Sequence, residues 1–226
     1  MTVKSGKLIL VPTPIGNLGD MTFRAIEVLR SVDKILAEDT RQVRKLLTHF
    51  EISAETEALH QNNEHHRVPA LVSQLTSGKH YAYCSDAGTP GISDPGYLLV
   101  RGALEAEVEV ECLPGATAFV PVLVASGLPC DRFVFEGFLP HKKGRRKRWE
   151  AIEDETRTVV LYESPHRILK LMGEIVEYLG AERRVVVGRE ITKIHETYYR
   201  GTAVEVQQAL IAGVVKGEIV VIISGK

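Results

Sequence analysis

The sequence has 226 residues, 44% of them hydrophobic and 25% charged, which suits one large or two small domains of an ordinary globular protein. No run of about 18 apolar residues occurs and no small-residue cleavage site follows the short apolar stretch near the N-terminus, so neither a membrane-spanning helix nor a secretory signal is expected, and a cytoplasmic protein is. The net charge of −1 conceals an asymmetry: residues 141–148 carry six Lys or Arg and no acid, and without them 22 basic residues face 29 acidic ones. A polyanion is therefore expected to meet this chain at that segment rather than over its whole surface.

Taken in chain order, 8–11 reads as a strand ending in Pro12 and Pro14. Phe23, Ile26, Val28, Leu29 and Val32 then fall near helical spacing. A short strand is expected at 34–37, then helices around Val43, Leu46 and Leu47 and around Leu71, Val72 and Leu75. A strand at 80–84, a helix at 97–106 and a strand at 108–113 follow. An apolar helix is expected over 116–126, closed by Gly127. The alternation then resumes, with strands at 132–139, 158–162, 184–188 and 219–223, and helices opening at 147–152 and spanning 168–179 and 204–211. Ser164 and Pro165 suit the N-cap and first position of the 168–179 helix. Strand–helix alternation predicts α/β layers with largely parallel sheets, and the break at Gly127, Pro129 and Asp131 suggests domains of 1–128 and 129–226.

Cys84, Cys112 and Cys130 are odd in number and lack CxxC or zinc spacing, so each is expected to pack as a small apolar residue in reduced surroundings. His60, His65 and His66 have no cysteine beside them and no zinc pattern, and no metal is expected.

Ligands of open α/β sheets bind at the carboxyl ends of strands. Three such ends lead into Gly- and Pro-rich loops: 13–20, 85–96 and 114–118. Any one of them reads as an ordinary tight turn. Three on one sheet suggest backbone shaped to approach a ligand closely. There is no GxGxxG and no Gly-Lys-Ser/Thr, so a pyrophosphate-bearing dinucleotide is disfavoured. Spacing alone leads to an α/β enzyme with a nucleoside ligand, and no further.

The motifs are more specific. VPTPIGNLGDMT (11–22), AEDTR (37–41), SDAGTPGISDPG (85–96), LPGATA (113–118), FEGFLP (135–140), YESPHR (162–167) and REITK (189–193) occur in order over nearly the whole chain. Together they resemble the small-subunit ribosomal RNA methyltransferase I family of the tetrapyrrole-methylase superfamily, with Ile191 where that family usually has leucine. The resemblance implies an α/β fold of two domains of the tetrapyrrole-methylase type, with the active site in the cleft between them, and a homodimer. It implies S-adenosylmethionine as methyl donor and, as acceptor, the 2'-oxygen of a decoding-centre cytidine in the 16S rRNA of the small ribosomal subunit. By position, Pro14, Asp86, Ala87, Gly88, Thr89, Ile92, Thr117, Ala118 and Tyr162 are the expected donor contacts. A tetrapyrrole C-methyltransferase on the same fold is the alternative.

Among these, Asp86 can hydrogen-bond the donor's amino or ribose groups, or simply cap its own turn. His166 and Arg167 lie near a helix start, where a cation opposes the dipole, which hints at an anionic contact. A ribose hydroxyl needs a base to share its proton, and Glu190 or a neutral Lys193 are candidates. Arg167, Glu190 and Lys193 are thus the expected catalytic residues. Lys142, Lys143, Arg145, Arg146, Lys147 and Arg148 are the expected RNA contacts, because phosphate-directed cations set affinity without reading sequence.

Overall fold

The computed structural model describes residues 5–213 and 215–226. The chain divides into two compact units, Met1–Thr117 and Ala118–Lys226.

The first unit runs β1 (Lys7–Leu10), α1 (Phe23–Ser31), β2 (Lys34–Ala37), α2 (Thr40–His49), β3 (Thr56–Ala58), α3 (Glu64–Thr76), β4 (Tyr81–Cys84), α4 (Tyr97–Glu105) and β5 (Glu109–Cys112). Its strands form one sheet in the order β3-β2-β4-β1-β5, and every pairing is parallel. Strand alternation sorts the apolar side chains onto two faces. Ile9, Val11, Ile35, Ala37, Ala82 and Cys84 pack under Ala25, Leu29, Val43 and Leu47 of α1 and α2. Leu8, Leu36, Tyr81 and Tyr83 pack under Leu71, Leu75, Leu99 and Ala103 of α3 and α4. Each fully buried aliphatic side chain contributes at most about 1.5–3 kcal/mol.

The neighbouring strands β1 and β4 thus send their following helices to opposite faces. That divergence opens a crevice at their carboxyl ends, the usual ligand position of such sheets. Local chemistry fixes the helix starts beside it. Thr22 accepts from the Ala25 N–H at 3.1 Å, and Asp39 from the Arg41 N–H at 2.8 Å. The buried Glu64 carboxylate accepts from the N–H groups of Gly96, Leu98 and Leu99 at 3.1–3.3 Å, which satisfies the start of α4.

The second unit runs α5 (Phe119–Val124), β6 (Phe133–Phe138), α6 (Arg145–Glu153), β7 (Thr158–Glu163), α7 (Ile168–Leu179), β8 (Arg184–Arg189), β9 (Thr197–Thr202), α8 (Ala203–Ala212) and β10 (Ile219–Ile223). The sheet order is β6-β7-β10-β8-β9. Only β6 and β7 pair in parallel; the other pairings are antiparallel, so the expectation of largely parallel sheets fails here. The reason is connectivity: β9 folds straight back on β8, and β10 returns between β7 and β8. Helices α6, α7 and α8 cover one face. Helix α5 packs against β7, β8 and β10, and Val122 lies so close to Gly188 that a Cβ there would come within 2.6 Å of it. The division before α5 and the expected boundary near 128 therefore differ by this helix.

Two further expectations change. Helix α7 starts at Ile168, after a turn in which the N–H groups of Arg167 and Ile168 donate to Ser164 O at 3.0 and 3.1 Å, so Ser164 and Pro165 do not begin the helix. Cys84 is buried, and burial pushes its thiol up to about 12, whereas Cys112 on the edge strand β5 and Cys130 in the loop before β6 are exposed. Among the described residues no helix is long and apolar enough to cross a membrane.

Candidate active site

In the first unit the three Gly/Pro loops are stitched together at the carboxyl edge of the sheet. Thr13 and Gly88 exchange two backbone hydrogen bonds of 3.0 and 2.9 Å, joining the β1 and β4 loops. The Thr89 hydroxyl donates to Ala116 O at 2.9 Å and lies 2.8 Å from the Thr117 hydroxyl, joining the β4 and β5 loops. Glycine is required at the centre of this junction. Gly88 adopts φ +79°, and a Cβ there would lie 3.2 Å from Ile15 Cγ2 and 3.5 Å from Ala116 O. Gly115 packs on Pro12, where a Cβ would come within 2.5 Å. Pro14, Asp86, Ala87, Gly88, Thr89 and Thr117 are thereby gathered at one place, and the Ile92 N–H reaches back to Thr89 O at 3.4 Å.

Asp86 Oδ1 accepts the Asp39 N–H at 3.0 Å, which ties in the β2 loop as well. Burial raises the Glu38 carboxyl above its ordinary range, and Asp86 and Asp94 add to the effect. Burial likewise raises Asp94, against a hydrogen bond from Ser85. This edge is thus rich in acids. Beside it opens a cavity of about 230 Å³, walled by the 13–18 loop, by Gln42, Lys45 and Leu46 of α2, and by Ser85 and Asp86.

In the second unit, β6, β7 and β8 all run the same way, so the FEGFLP, YESPHR and REITK ends share one edge. The partners of Ile219 in β10 are Glu163 on one side and Arg189 on the other. Tyr162 lies among aromatic rings, with centroids 5.2 Å from Phe135 and 5.6 Å from Phe138. Ala118 immediately precedes α5, whose Phe119 ring lies 4.9 Å from Phe135.

The charged candidates are more committed than their sequence suggests. Arg167 pairs with the fully buried Glu163 carboxylate at 2.7 Å, which also accepts the Ser164 N–H at 2.7 Å. Arg167 is thus held from below and shapes the turn that carries it. Glu190 adopts φ +52° and Thr192 φ +67°. The Glu190 carboxylate accepts from Lys193 Nζ at 2.9 Å and from the Glu218 N–H at 2.8 Å. Lys193 also pairs with Glu218 at 3.2 Å. Gly217 makes room for this arrangement, since a Cβ there would collide with the Glu190 carboxylate.

These contacts bear on the expectation of a general base in this pair. Burial raises the Glu190 carboxyl, but the hydrogen bonds from Lys193 and the Glu218 N–H outweigh it and hold the group below its ordinary range. Burial lowers the Lys193 ammonium, but Glu190 and Glu218 outweigh that and hold it above the ordinary lysine range. Both shifts favour the charged forms of the pair.

The basic run is also corrected. Arg145 is buried: it donates from Nε to Glu174 at 2.9 Å and from Nη1 to Pro140 O at 2.9 Å. It points inward because it shares a face of α6 with the buried Trp149 and Ile152, so it is not a phosphate ligand. Arg146 pairs with Glu150 at 2.9 Å, both exposed, and the exposed Arg148 pairs with the half-buried Glu136 at 3.5 Å. Lys142, Lys143 and Lys147 are exposed and have no ion pair to another described residue.

The chain matches the model of the Tetrapyrrole (Corrin/Porphyrin) Methylases over residues 7–207. It belongs to this methylase family. The ribosomal RNA small subunit methyltransferase I of Vibrio cholerae serotype O1 is 54% identical over 199 residues, covering 87% of this chain and 69% of its own. The protein of the same name from Synechocystis sp. is 48% identical over 221 residues, covering 97% and 79%. Solved methylases share the fold at low identity. A Thermus thermophilus uroporphyrin-III C-methyltransferase, solved with S-adenyl homocysteine, gives a TM-score of 0.64 at 18% identity, covering 96% of this chain and 97% of its own. A diphthine synthase gives 0.73 at 13% identity, covering 97% and 90%. Glu64, Gln42, Lys45, Gly217 and Glu218 lie beside these loops and turns without having been singled out in the sequence. Of these, only Gly217 left a signal, as an isolated glycine before a strand.

Proposed function

We propose that this chain is an S-adenosylmethionine-dependent methyltransferase that modifies 16S rRNA of the small ribosomal subunit, at the ribose 2'-hydroxyl of a decoding-centre cytidine. The observation that carries the reading is the identity of 48% over 97% of the chain to a ribosomal RNA small subunit methyltransferase, which spans all three stitched loops and both charged turns. Work in the cytoplasm as a homodimer belongs to the same reading.

The loop junction fits the donor. Backbone amides and carbonyls meet there around a glycine whose missing Cβ leaves room, and Asp86 offers a carboxylate to hydroxyl or amino groups. Pro14, Ala87, Thr89, Ile92 and Thr117 would hold the donor with Gly88. When bound, S-adenosylmethionine supplies an electrophilic methyl group on a sulfonium. Held as a cation by two carboxylates, Lys193 suits an acceptor phosphate better than a proton-abstracting role, with Glu190 as its counter-ion. Arg167, anchored by Glu163, presents a second cation at the same edge of its sheet.

Of the basic run, Lys142, Lys143 and Lys147 carry the proposed RNA contact, with Arg146 and Arg148 as secondary contributors. Replacing the three lysines by glutamine is expected to weaken binding to 30S subunits of any sequence context. The log–log salt slope should fall by roughly 0.7–0.9 for each phosphate that is no longer neutralised. Affinity for S-adenosylhomocysteine should be unchanged. A salt series of subunit affinities checks this, and a slope equal to that of the wild type would move the RNA interface elsewhere.

A further inference from the structure

We propose that the cavity between the 13–18 loop and α2 receives the acceptor nucleotide, and that Arg44 and Lys45 on the exposed face of α2 hold the phosphates of the acceptor strand. The proposal rests on the RNA methyl transfer proposed above and locates a part of that substrate.

Four observations carry it. Helix α2, Thr40–His49, reads TRQVRKLLTH, with three strong cations and no acid. Arg41 is committed to Asp39 at 2.6 Å. Among the described residues, Arg44 donates to the neutral Thr56 hydroxyl at 3.3 Å and Lys45 to the Gln42 amide oxygen at 3.2 Å, with Lys45 also near enough to act on the Asp39 charge. Neither has an ion pair to another described residue, so both charges remain available in a unit whose neighbouring edge carries Glu38, Asp86 and Asp94.

The second observation is the cavity that Lys45 helps to line, together with Gln42. Its lining is of two kinds. Pro14, Leu18 and Leu46 offer apolar contact to a base or sugar face, while Thr13, Ser85 and Asp86 offer hydrogen-bonding groups to its edges. The third is size. At about 230 Å³ the space lies below the roughly 300–1,000 Å³ of pockets that enclose a whole drug-sized ligand, so it suits one nucleoside unit rather than the donor with its amino-acid arm. The fourth is position. Thr13 and Asp86 belong both to this cavity and to the loop junction, so a nucleotide seated here is next to the proposed donor site.

The donor carries no phosphate, whereas a polynucleotide brings one at every sugar. A cation in the lining of a nucleoside-sized cavity, with a second at the adjacent position of α2, therefore matches the acceptor strand. It also offsets the acids of this edge, which would otherwise repel that strand.

The test uses the Arg44→Gln/Lys45→Gln double variant. Both side chains are exposed, so the fold should persist, and calorimetric titration with S-adenosylhomocysteine verifies it. Affinity for 30S subunits, and for a single-stranded cytidine-containing oligoribonucleotide, should fall about tenfold, with a log–log salt slope smaller by about 1.4 for two phosphates on a single strand. Affinity for S-adenosylhomocysteine should stay within about twofold, and Arg44→Lys/Lys45→Arg should restore RNA affinity because the charges return. Wild-type affinity and slope in the double variant would overturn the proposal. So would a loss of donor affinity with RNA binding intact, which would give the cavity to the donor. If the wild-type protein itself shows no salt-dependent binding to 30S subunits, the RNA reading fails first and this proposal with it.

Discussion

Gly88→Val is expected to weaken S-adenosylhomocysteine binding by about 30-fold or more, equivalent to roughly 2 kcal/mol, while the protein remains folded. Two effects add. Position 88 has φ +79°, a region in which a β-branched residue is a genuine outlier and strain of order 1–3 kcal/mol accrues. The added Cβ would also sit 3.2 Å from Ile15 Cγ2, and Ile15 is itself buried and cannot move aside. Relief of the clash must open the paired hydrogen bonds between Thr13 and Gly88, and with them the junction of the loops. Gly91→Ala is the matched control. Gly91 has φ +85°, but a Cβ added there would meet nothing within 4 Å, so strain arises without a clash, and a much smaller loss is expected. Equal affinities for Gly88→Val and the wild type by calorimetry would remove the donor from this junction.

Arg145→Ala is expected to destabilise the protein by about 3–5 kcal/mol, the usual cost of removing one member of a buried charge pair. Arg145 lies between two acids. It bonds Glu174 at 2.9 Å, and its Nη2 lies 4.0 Å from Glu163 Oε2. That Glu163 oxygen is buried and accepts no hydrogen bond from the described residues, so it depends on the charges around it. Without Arg145, the Glu163 carboxylate keeps the Arg167 charge and the Ser164 N–H, and among the described residues the remaining ion pair of Glu174 is the distant Lys170 at 3.9 Å. The turn that carries Arg167 should loosen as well. Lys143→Gln, an exposed neighbour in the same run, should change stability by no more than about 0.5 kcal/mol. Denaturant melts of the two variants decide the matter, and similar midpoints would mean that Arg145 is a surface cation after all.

The contrast between Arg145 and Lys143 marks the limit of what composition records. The run 141–148 reads as six equivalent cations, because charge is a property of composition. Their roles separate only through helical phase, which turns Arg145 inward with Trp149 and leaves the lysines outside. Likewise, the loops of the first unit were legible because glycine and proline after a parallel strand have few structural uses, and their places on one sheet edge follow from strand direction. The strands whose apolar residues alternate between two helical layers were legible for the same reason. The three-residue β3 has no apolar period, and β9, TYYRGT, pairs on an outer edge with polar and aromatic residues, so neither announced itself. The antiparallel pairings of the second sheet depend on where β10 inserts, which is a long-range choice that no local pattern records. The partners of Glu190 and Lys193 were hidden because Glu218 lies far along the chain. With that partner in place, a lysine that reads alone as a candidate base is seen to sit between two carboxylates.

Methyl transfer to ribosomal RNA is tested most directly by incubating the protein with methyl-labelled S-adenosylmethionine and, in parallel, with 30S subunits or uroporphyrinogen III. Label is expected in 16S rRNA, recovered as a 2'-O-methylated cytidine whose phosphodiester resists alkaline cleavage, and none in the macrocycle. Label in uroporphyrinogen with none in RNA would contradict the proposed function, as would donor binding without transfer to either acceptor.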